Sequence, residues 1–241
     1  MDKLQYEAGI YYRDCCGSTN TELKNMGRNG AKHGTVLWAG RQSEGRGRMG
    51  RVFDSPEGGL YLSILWRPER RIEDCLCLTP CAALAISRCI EEYCGIRPEI
   101  KWPNDLQIKG KKLCGILTEG SFDSEGNFFL VLGLGLNVNN PGFDPELSGR
   151  ATSLFLETGR KFNLAELAAA CDGALEEMYE DCFIRPEVWA KEYRLRCNSV
   201  GAAINTPDGP ARVLDIADDY SLILRRGGEV FRKAYGEIEI I

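Results

Sequence analysis

Apolar positions along this 241-residue chain recur with two periods. Runs at "GTVLWAGRQ" (34–42), "GGLYLSILW" (58–66), "EIKWPNDLQI" (99–108), "KKLCGILTEG" (111–120) and "FFLVLGLGLNV" (128–138) are short and bounded by turn residues, and they read as strands. The "KGK" between the third and fourth predicts a hairpin. Helical spacing appears in four places. "STNTELKNMGRNG" (18–30) opens with Thr19 and Glu22 at capping-box spacing and ends at Gly27 or Gly30. "LTPCAALAISRCIEEYCG" (78–95) places Thr79 at the N-cap, Pro80 at the first helical position and Gly95 just past the end. "NLAELAAACDGALEEMYED" (163–181) starts at Asn163 with Glu166 three residues on, and "EVWAKEYRLRC" (187–197) follows it.

The texture then changes. From Asn198 onward, short β-like runs are broken by "TPDGP", "ADD" and "RRGG", a spacing that predicts a small barrel. A boundary near Arg196 divides the chain into units 1–195 and 196–241.

Composition changes this picture little. With 44% hydrophobic and 27% charged residues the chain has ample core and needs no disulfide staples. The net charge of −5 argues against a DNA or membrane partner for the surface as a whole, so any basic site must be local. The N-terminal "MDKLQYEAGIYYRD" lacks an apolar signal core, and no apolar run reaches the ~20 residues of a membrane span. The expectation is a cytoplasmic protein. Eleven cysteines include no C-x-x-C pair. Cys77, Cys81, Cys89 and Cys94 lie where most neighbours are small apolar residues of a helical pattern, which reads as reduced thiols packed as small hydrophobes.

Candidate chemistry concentrates in "GRQSEGRGRMGRVFDSPEGG" (40–59). Gly45, Gly47 and Gly50 let backbone approach a ligand, and Arg46, Arg48 and Arg51 supply forks matched to carboxylate and phosphate oxygens. Such a loop binds anions. The same pattern also suits a flexible hairpin tip with solvated charges or an arginine–glycine contact to nucleic acid. No P-loop pattern is present, so any nucleotide is held differently. Ordering so many glycines and charges costs entropy, which predicts that the loop orders on its ligand and closes over it.

The set "GSTN" (17–20), "GRQSEGRGRMGRVFDSPEGGLYLS" (40–63), "KWPNDL" (101–106), "KKLCGILTEG" (111–120), "GLGLNVN" (133–139), "ATSL" (151–154) and a C-terminal "YGEIEI" resembles the biotin protein ligases in order and spacing. The resemblance implies an α+β fold, a mixed β-sheet flanked by helices of the class II aminoacyl-tRNA synthetase and biotin ligase kind, with a small C-terminal SH3-like β-barrel. It implies that biotin and ATP, with Mg²⁺, give biotinyl-5′-adenylate and pyrophosphate, and that the biotinyl group passes to a lysine of a biotin carboxyl carrier protein. Some members carry an N-terminal winged helix that represses transcription. This chain enters its catalytic motifs too early for one, and a ligase without repressor function is the expectation. A homodimer is left open.

Roles carried over from the resemblance place Ser18, Thr19, Asn20, Gln42, Gly45, Arg46, Gly47, Arg48, Lys112 and Gly115 on biotin. They place Arg48, Arg51, Asn104, Asn137 and Thr152 on ATP. Lys112 and Arg48 are the activating cations, and Asp105 is the carboxylate that receives the acceptor lysine. Each has an ordinary alternative: Thr19 as a cap, Lys112 as a hairpin lysine, Asp105 as a turn residue in "PND". The metal ligands are not assigned. Two departures stand out, Gly17 where the family usually has an acid and Phe53 where it usually has Trp. A lipoate or octanoate ligase of the same fold is the sibling reading, against which "GRGRMGR" and "KWPND" argue. A non-catalytic biotin sensor or nucleic-acid-binding module is the reading from another class.

Overall fold

The computed structural model describes residues 5–7 and 10–241. Residues 1–4, 8 and 9, part of the segment read for a leader, lie outside them. Eight strands form one mixed sheet: β1 (Gln5–Glu7), β2 (Ile10–Cys16), β3 (Thr35–Gln42), β4 (Leu60–Trp66), β5 (Glu99–Lys101), β6 (Asp105–Ile108), β7 (Lys111–Phe122) and β8 (Phe128–Leu136). Their spatial order is β1-β2-β3-β4-β8-β7-β6-β5. Only β2 and β3 pair in parallel, and α1 (Thr19–Arg28) makes the crossover a parallel pair requires.

Strand β4 is buried along its whole length because both faces are covered. Its even residues, Leu62, Ile64 and Trp66, enter the main core with Leu130, Leu132 and Leu134 of β8. That core is closed by α2 (Leu78–Cys94), α5 (Leu164–Ile184) and α6 (Pro186–Arg196). On the other face Leu65, Phe129 and Val131 pack with Leu37 and with Leu23 of α1, which covers only part of the sheet. The uncovered remainder becomes the cleft. Short helices α3 (Pro145–Ser148) and α4 (Leu154–Thr158) lie in the connection to α5.

Residues 203–233 form a second, four-stranded antiparallel sheet: β9 (Ala203–Thr206), β10 (Gly209–Ile216), β11 (Leu222–Arg226) and β12 (Glu229–Lys233), in the order β12-β11-β10-β9. A bridge between Ile204 and Ile240 ties the chain end to it. The main core continues into this sheet through Val213, Tyr220, Leu222 and Leu224. Trp102 donates its indole N–H to Tyr220 O at 2.7 Å, fixing the sheet beside the cleft.

Three sequence expectations need correction. "EIKWPNDLQI" is two strands: the chain reverses at Trp102–Asn104, where the Trp102–Pro103 bond is cis, and β5 pairs back onto β6. The capping box at α1 does not form, because Ser18 is the N-cap and the Thr19 hydroxyl is engaged inside the cleft. Thr79 is no cap either; a 3-10 turn, Ile72–Cys77, runs straight into α2, and Thr79 instead donates to Thr118 at 2.8 Å. The hairpin between β6 and β7 is as expected, with Lys109 and Gly110 both at positive φ. Asn163 caps α5, accepting from Ala165 N and Glu166 N. Among the described residues, no helix is long and apolar enough to cross a membrane.

Candidate functional site

A row of directly opposed residues crosses the sheet beside α1: Tyr61 of β4, Gly135 of β8, Gly115 of β7 and Asp105 of β6. The next row holds Ser63, Gly133 and Leu117. Alternation puts all of these on the face that carries α1, where Ser63 lies against Thr19 and Asn20 and the row from Gly135 to Asp105 borders the cleft. Glycine at the central positions makes a trough, and the Phe53 ring lies in it against Gly115 and Gly135. Around the trough stands an open cleft of about 940 Å³.

The inner end of the cleft is a hydrogen-bonded polar network. Gln42 Oε1 accepts from Thr19 N at 2.8 Å and from Thr19 Oγ1 at 3.1 Å, while Gln42 Nε2 donates to Ser55 Oγ at 2.9 Å. The buried Ser63 hydroxyl lies 2.6 Å from Asn20 Oδ1 and 2.8 Å from Thr19 Oγ1. Asn20 Nδ2 donates to Glu119 at 3.0 Å, and Lys24 holds the other Glu119 oxygen at 2.7 Å. Burial raises the Glu119 carboxyl, but the Lys24 ammonium and Asn20 amide outweigh it, so the group stays below its ordinary range. The consequence is a fixed chain of dipoles.

The outer end is cationic. Arg48, Arg51, Lys101, Lys112 and Arg150 line it, against Asp105, Glu237 and Glu239, while the charge of Arg46, also in the lining, reaches Glu119. A protein of net charge −5 thus focuses positive charge on one cleft. The arginine loop folds back on itself: Arg46 bridges Val52, Gly47 N donates to Arg51 O at 2.8 Å, and Met49 and Gly50 turn the chain at positive φ. Arg48 donates to Asn104 Oδ1 at 2.9 Å, and Asn104 in turn donates to Ile116 O at 2.7 Å. Arg51 pairs with Glu237 at 2.7 Å, so the C-terminal segment touches the loop. Lys112 Nζ sits 2.7 Å from Asp105 Oδ1 and 5.6 Å from the Phe53 ring centre.

Ser18, Thr19, Asn20, Gln42, Arg46, Gly47, Arg48, Arg51, Asn104, Asp105, Lys112 and Gly115 therefore share one cleft. Gly45, Asn137 and Thr152 do not line it. Gly45 has no room for a Cβ, which would meet Phe53 O and Ser55 Oγ, so its work is to let the loop hairpin form. Asn137 and Thr152 are buried behind the wall, where Asn137 donates to Thr152 O at 3.0 Å and Thr152 N donates to Lys112 O at 2.9 Å. They fix the backbone of Lys112. Sequence reasoning missed Gly133 and Gly135, which line the cleft, and Ser63, Ser55 and Glu119, which hold its lining residues Asn20 and Gln42. Ser63 as the lone hydroxyl in "LYLSILW" and the alternating glycines of "LGLGL" were the available signals.

Residues 12–137 match the model of the biotin/lipoate A/B protein ligase family. The bifunctional ligase/repressor BirA of Bacillus subtilis is 38% identical over 175 residues, 71% of this chain and 54% of its own, so the chain spans about half the length of that relative. The biotin--[acetyl-CoA-carboxylase] ligase of Mycobacterium tuberculosis is 30% identical over 240 residues, 92% of this chain and 85% of its own. Among solved structures, the biotin protein ligase of Aquifex aeolicus in complex with biotin and ATP superposes with a TM-score of 0.82 at 26% identity, covering 98% of this chain and 99% of that one. With over half its length inside the family model and a relative aligned nearly end to end, the chain belongs to the biotin/lipoate A/B protein ligase family.

Proposed function

We propose that this chain is an ATP-dependent biotin–protein ligase, which joins biotin to ATP as biotinyl-5′-adenylate with loss of pyrophosphate and then transfers the biotinyl group to a lysine of a biotin carboxyl carrier domain. The observation that carries this reading is the division of one cleft into two unlike ends. The Thr19–Gln42–Ser55 chain and the Ser63–Asn20 chain, which ends on the Glu119 carboxylate held by Lys24, offer fixed donors and acceptors beside a glycine trough, which suits a small apolar bicycle bearing a ureido group. The arginine and lysine end suits a carboxylate meeting a triphosphate.

Attack of the biotin carboxylate on the α-phosphorus brings two anions together. Cations already fixed in place offset that repulsion and the charge that grows in the transition state. Lys112, on a strand and paired with Asp105, and Arg48, held by Asn104, are the cations proposed for this, with Arg51 on the nucleotide phosphates. Asp105 pairs with Lys112 through Oδ1, leaving Oδ2 to attract the acceptor ammonium and take its proton; a free lysine, of pKa ~10.4, is otherwise no nucleophile. Asp105 and Asn104 are also oxygen donors of the kind Mg²⁺ takes beside phosphates, and the ion would enter with the nucleotide and neutralise phosphate charge. The four strands and the Ile204–Ile240 bridge support reading 196–241 as an SH3-like barrel beside a 1–195 catalytic unit in a cytoplasmic enzyme.

The test supplies ATP with either biotin or lipoate and measures pyrophosphate release, then the mass of an added carrier domain. Release and a biotinyl mass increment with biotin alone are expected. Turnover with lipoate alone would move the chain to the sibling reading, and no turnover with either would reduce it to a binding protein.

A further inference from the structure

On the opposite side of the sheet from the cleft, Cys77, Cys81 and Cys182 bring their sulfurs within 4.8 Å of one another. Cys77 is the N-cap of α2 and Cys81 lies one turn further on, so both face the same way; Cys182 approaches from the last turn of α5. Cys81 and Cys182 are buried, while Cys77 is partly open to solvent and gives the group an entrance. The Tyr220 hydroxyl stands 3.0 Å from Cys81 Sγ. No other group of three or more Cys, His, Asp or Glu side chains meets this spacing among the described residues.

We propose that Cys77, Cys81 and Cys182 form a binding site for a thiophilic divalent cation of the Zn²⁺ class. Four-coordinate Zn²⁺ with thiolate bonds of ~2.3 Å sets its sulfurs roughly 3.8 Å apart, so three sulfurs already within 4.8 Å need only rotamer adjustment to close on an ion. A divalent ion fits this place better than a monovalent one. It leaves less net negative charge on three thiolates in a largely buried pocket, and the N-terminal end of the 17-residue α2 offsets part of what remains. The fourth position belongs to water or the Tyr220 oxygen.

The site joins elements that the sequence separates by a hundred residues. It ties the start of α2 to the end of α5 and touches Tyr220, whose carbonyl holds the indole of the cleft residue Trp102. Metal binding should therefore stabilise the fold without entering the reaction.

The experiment titrates the fully reduced, metal-stripped protein, in a thiol-free phosphine reductant, with Cd²⁺ and separately with Co²⁺. Expected are one equivalent per chain, Cd²⁺–thiolate charge-transfer absorption, a tetrahedral Co²⁺ visible spectrum, and a raised melting temperature. The partly exposed Cys77→Ala should lose the bands and at least tenfold in affinity while circular dichroism stays unchanged. Cys89→Ala, outside the cluster, should keep both. Unchanged spectra and affinity in Cys77→Ala, binding of several equivalents with no saturable band, or a disulfide joining two of the three cysteines in the protein as isolated would each overturn the proposal.

Discussion

Lys112 and Asp105 share an ion pair of 2.7 Å at the mouth of the cleft, with side chains 36% and 24% exposed. A pair so open to water contributes about 0–1 kcal/mol to stability. Replacing either partner therefore tests chemistry more than folding. Lys112→Ala should abolish adenylate formation, by 10²-fold or more in kcat, while biotin binding stays measurable, because the ureido contacts lie at the other end of the ligand. Pyrophosphate release beside calorimetric biotin binding checks it. A normal single-turnover rate with lost binding would assign Lys112 to biotin alone.

Asp105→Asn should separate the two half-reactions. It keeps Lys112 and removes the carboxylate proposed to receive the acceptor lysine, so adenylate should still form and its transfer should slow by roughly 10²-fold, within the range of general-base effects. Rapid-quench transfer from preformed adenylate to a carrier domain reads this directly, and an unchanged transfer rate would leave Asp105 only the positioning of Lys112.

The strands and long helices were legible because each buries one face and carries the period of that burial. "KWPND" was not, since a reversal within three residues leaves the apolar pattern of a single strand intact, and only the pairing of Ile100 with Leu106 reveals it. The arginine loop and Lys112 could be read as an anion site from residue type. The division of labour behind them could not. Thr19 carries cap chemistry in the sequence, yet its hydroxyl is spent on Gln42, a partner 23 residues away that only the sheet brings near. Asn137 and Thr152 stand in motifs that the resemblance assigns to ATP, and what the sequence does not show is that both are buried and hold the backbone of Lys112.

The trough gives a steric test. A methyl at Gly135 would overlap the Phe53 ring, and β8 is held on both sides by β4 and β7 and cannot yield. Gly135→Ala should destabilise the fold by about 1–3 kcal/mol, or expel Phe53 and raise the KM for biotin. Chemical denaturation with a biotin titration distinguishes these, and wild-type values in both would show that the ring does not rest there.

Arg51, 72% exposed at its side chain, meets Glu237 of the C-terminal segment. The pair adds little stability but tethers the loop. Backbone hydrogen exchange across 44–51 should slow when biotin and ATP are added, and Glu237→Gln should speed exchange there in the free protein while leaving global stability within about 0.5 kcal/mol. Equal exchange with and without ligand would count against closure.

Asp172 lies in α5 with a half-buried carboxyl. Its Oδ1 is buried without a hydrogen-bond partner, and burial, helped by Glu176 one turn on, raises its pKa to about 6. Unfolded, the group titrates near ~3.9. Between those values the folded chain holds a proton that the unfolded chain has released, so stability falls as pH rises from about 4 to about 6 and is level above that. A shift of that size corresponds to about 3 kcal/mol at neutral pH, which solvent screening of a half-buried group reduces to on the order of 1–2 kcal/mol. Asp172→Asn removes the charge and supplies donors, and it should raise stability at pH 7 by about that amount while removing this group's share of the slope. Urea denaturation of both proteins at pH 4.5, 5.5, 6.5 and 7.5 measures it. Parallel stability curves for the two would mean that Asp172 is solvated and titrates like any surface carboxylate.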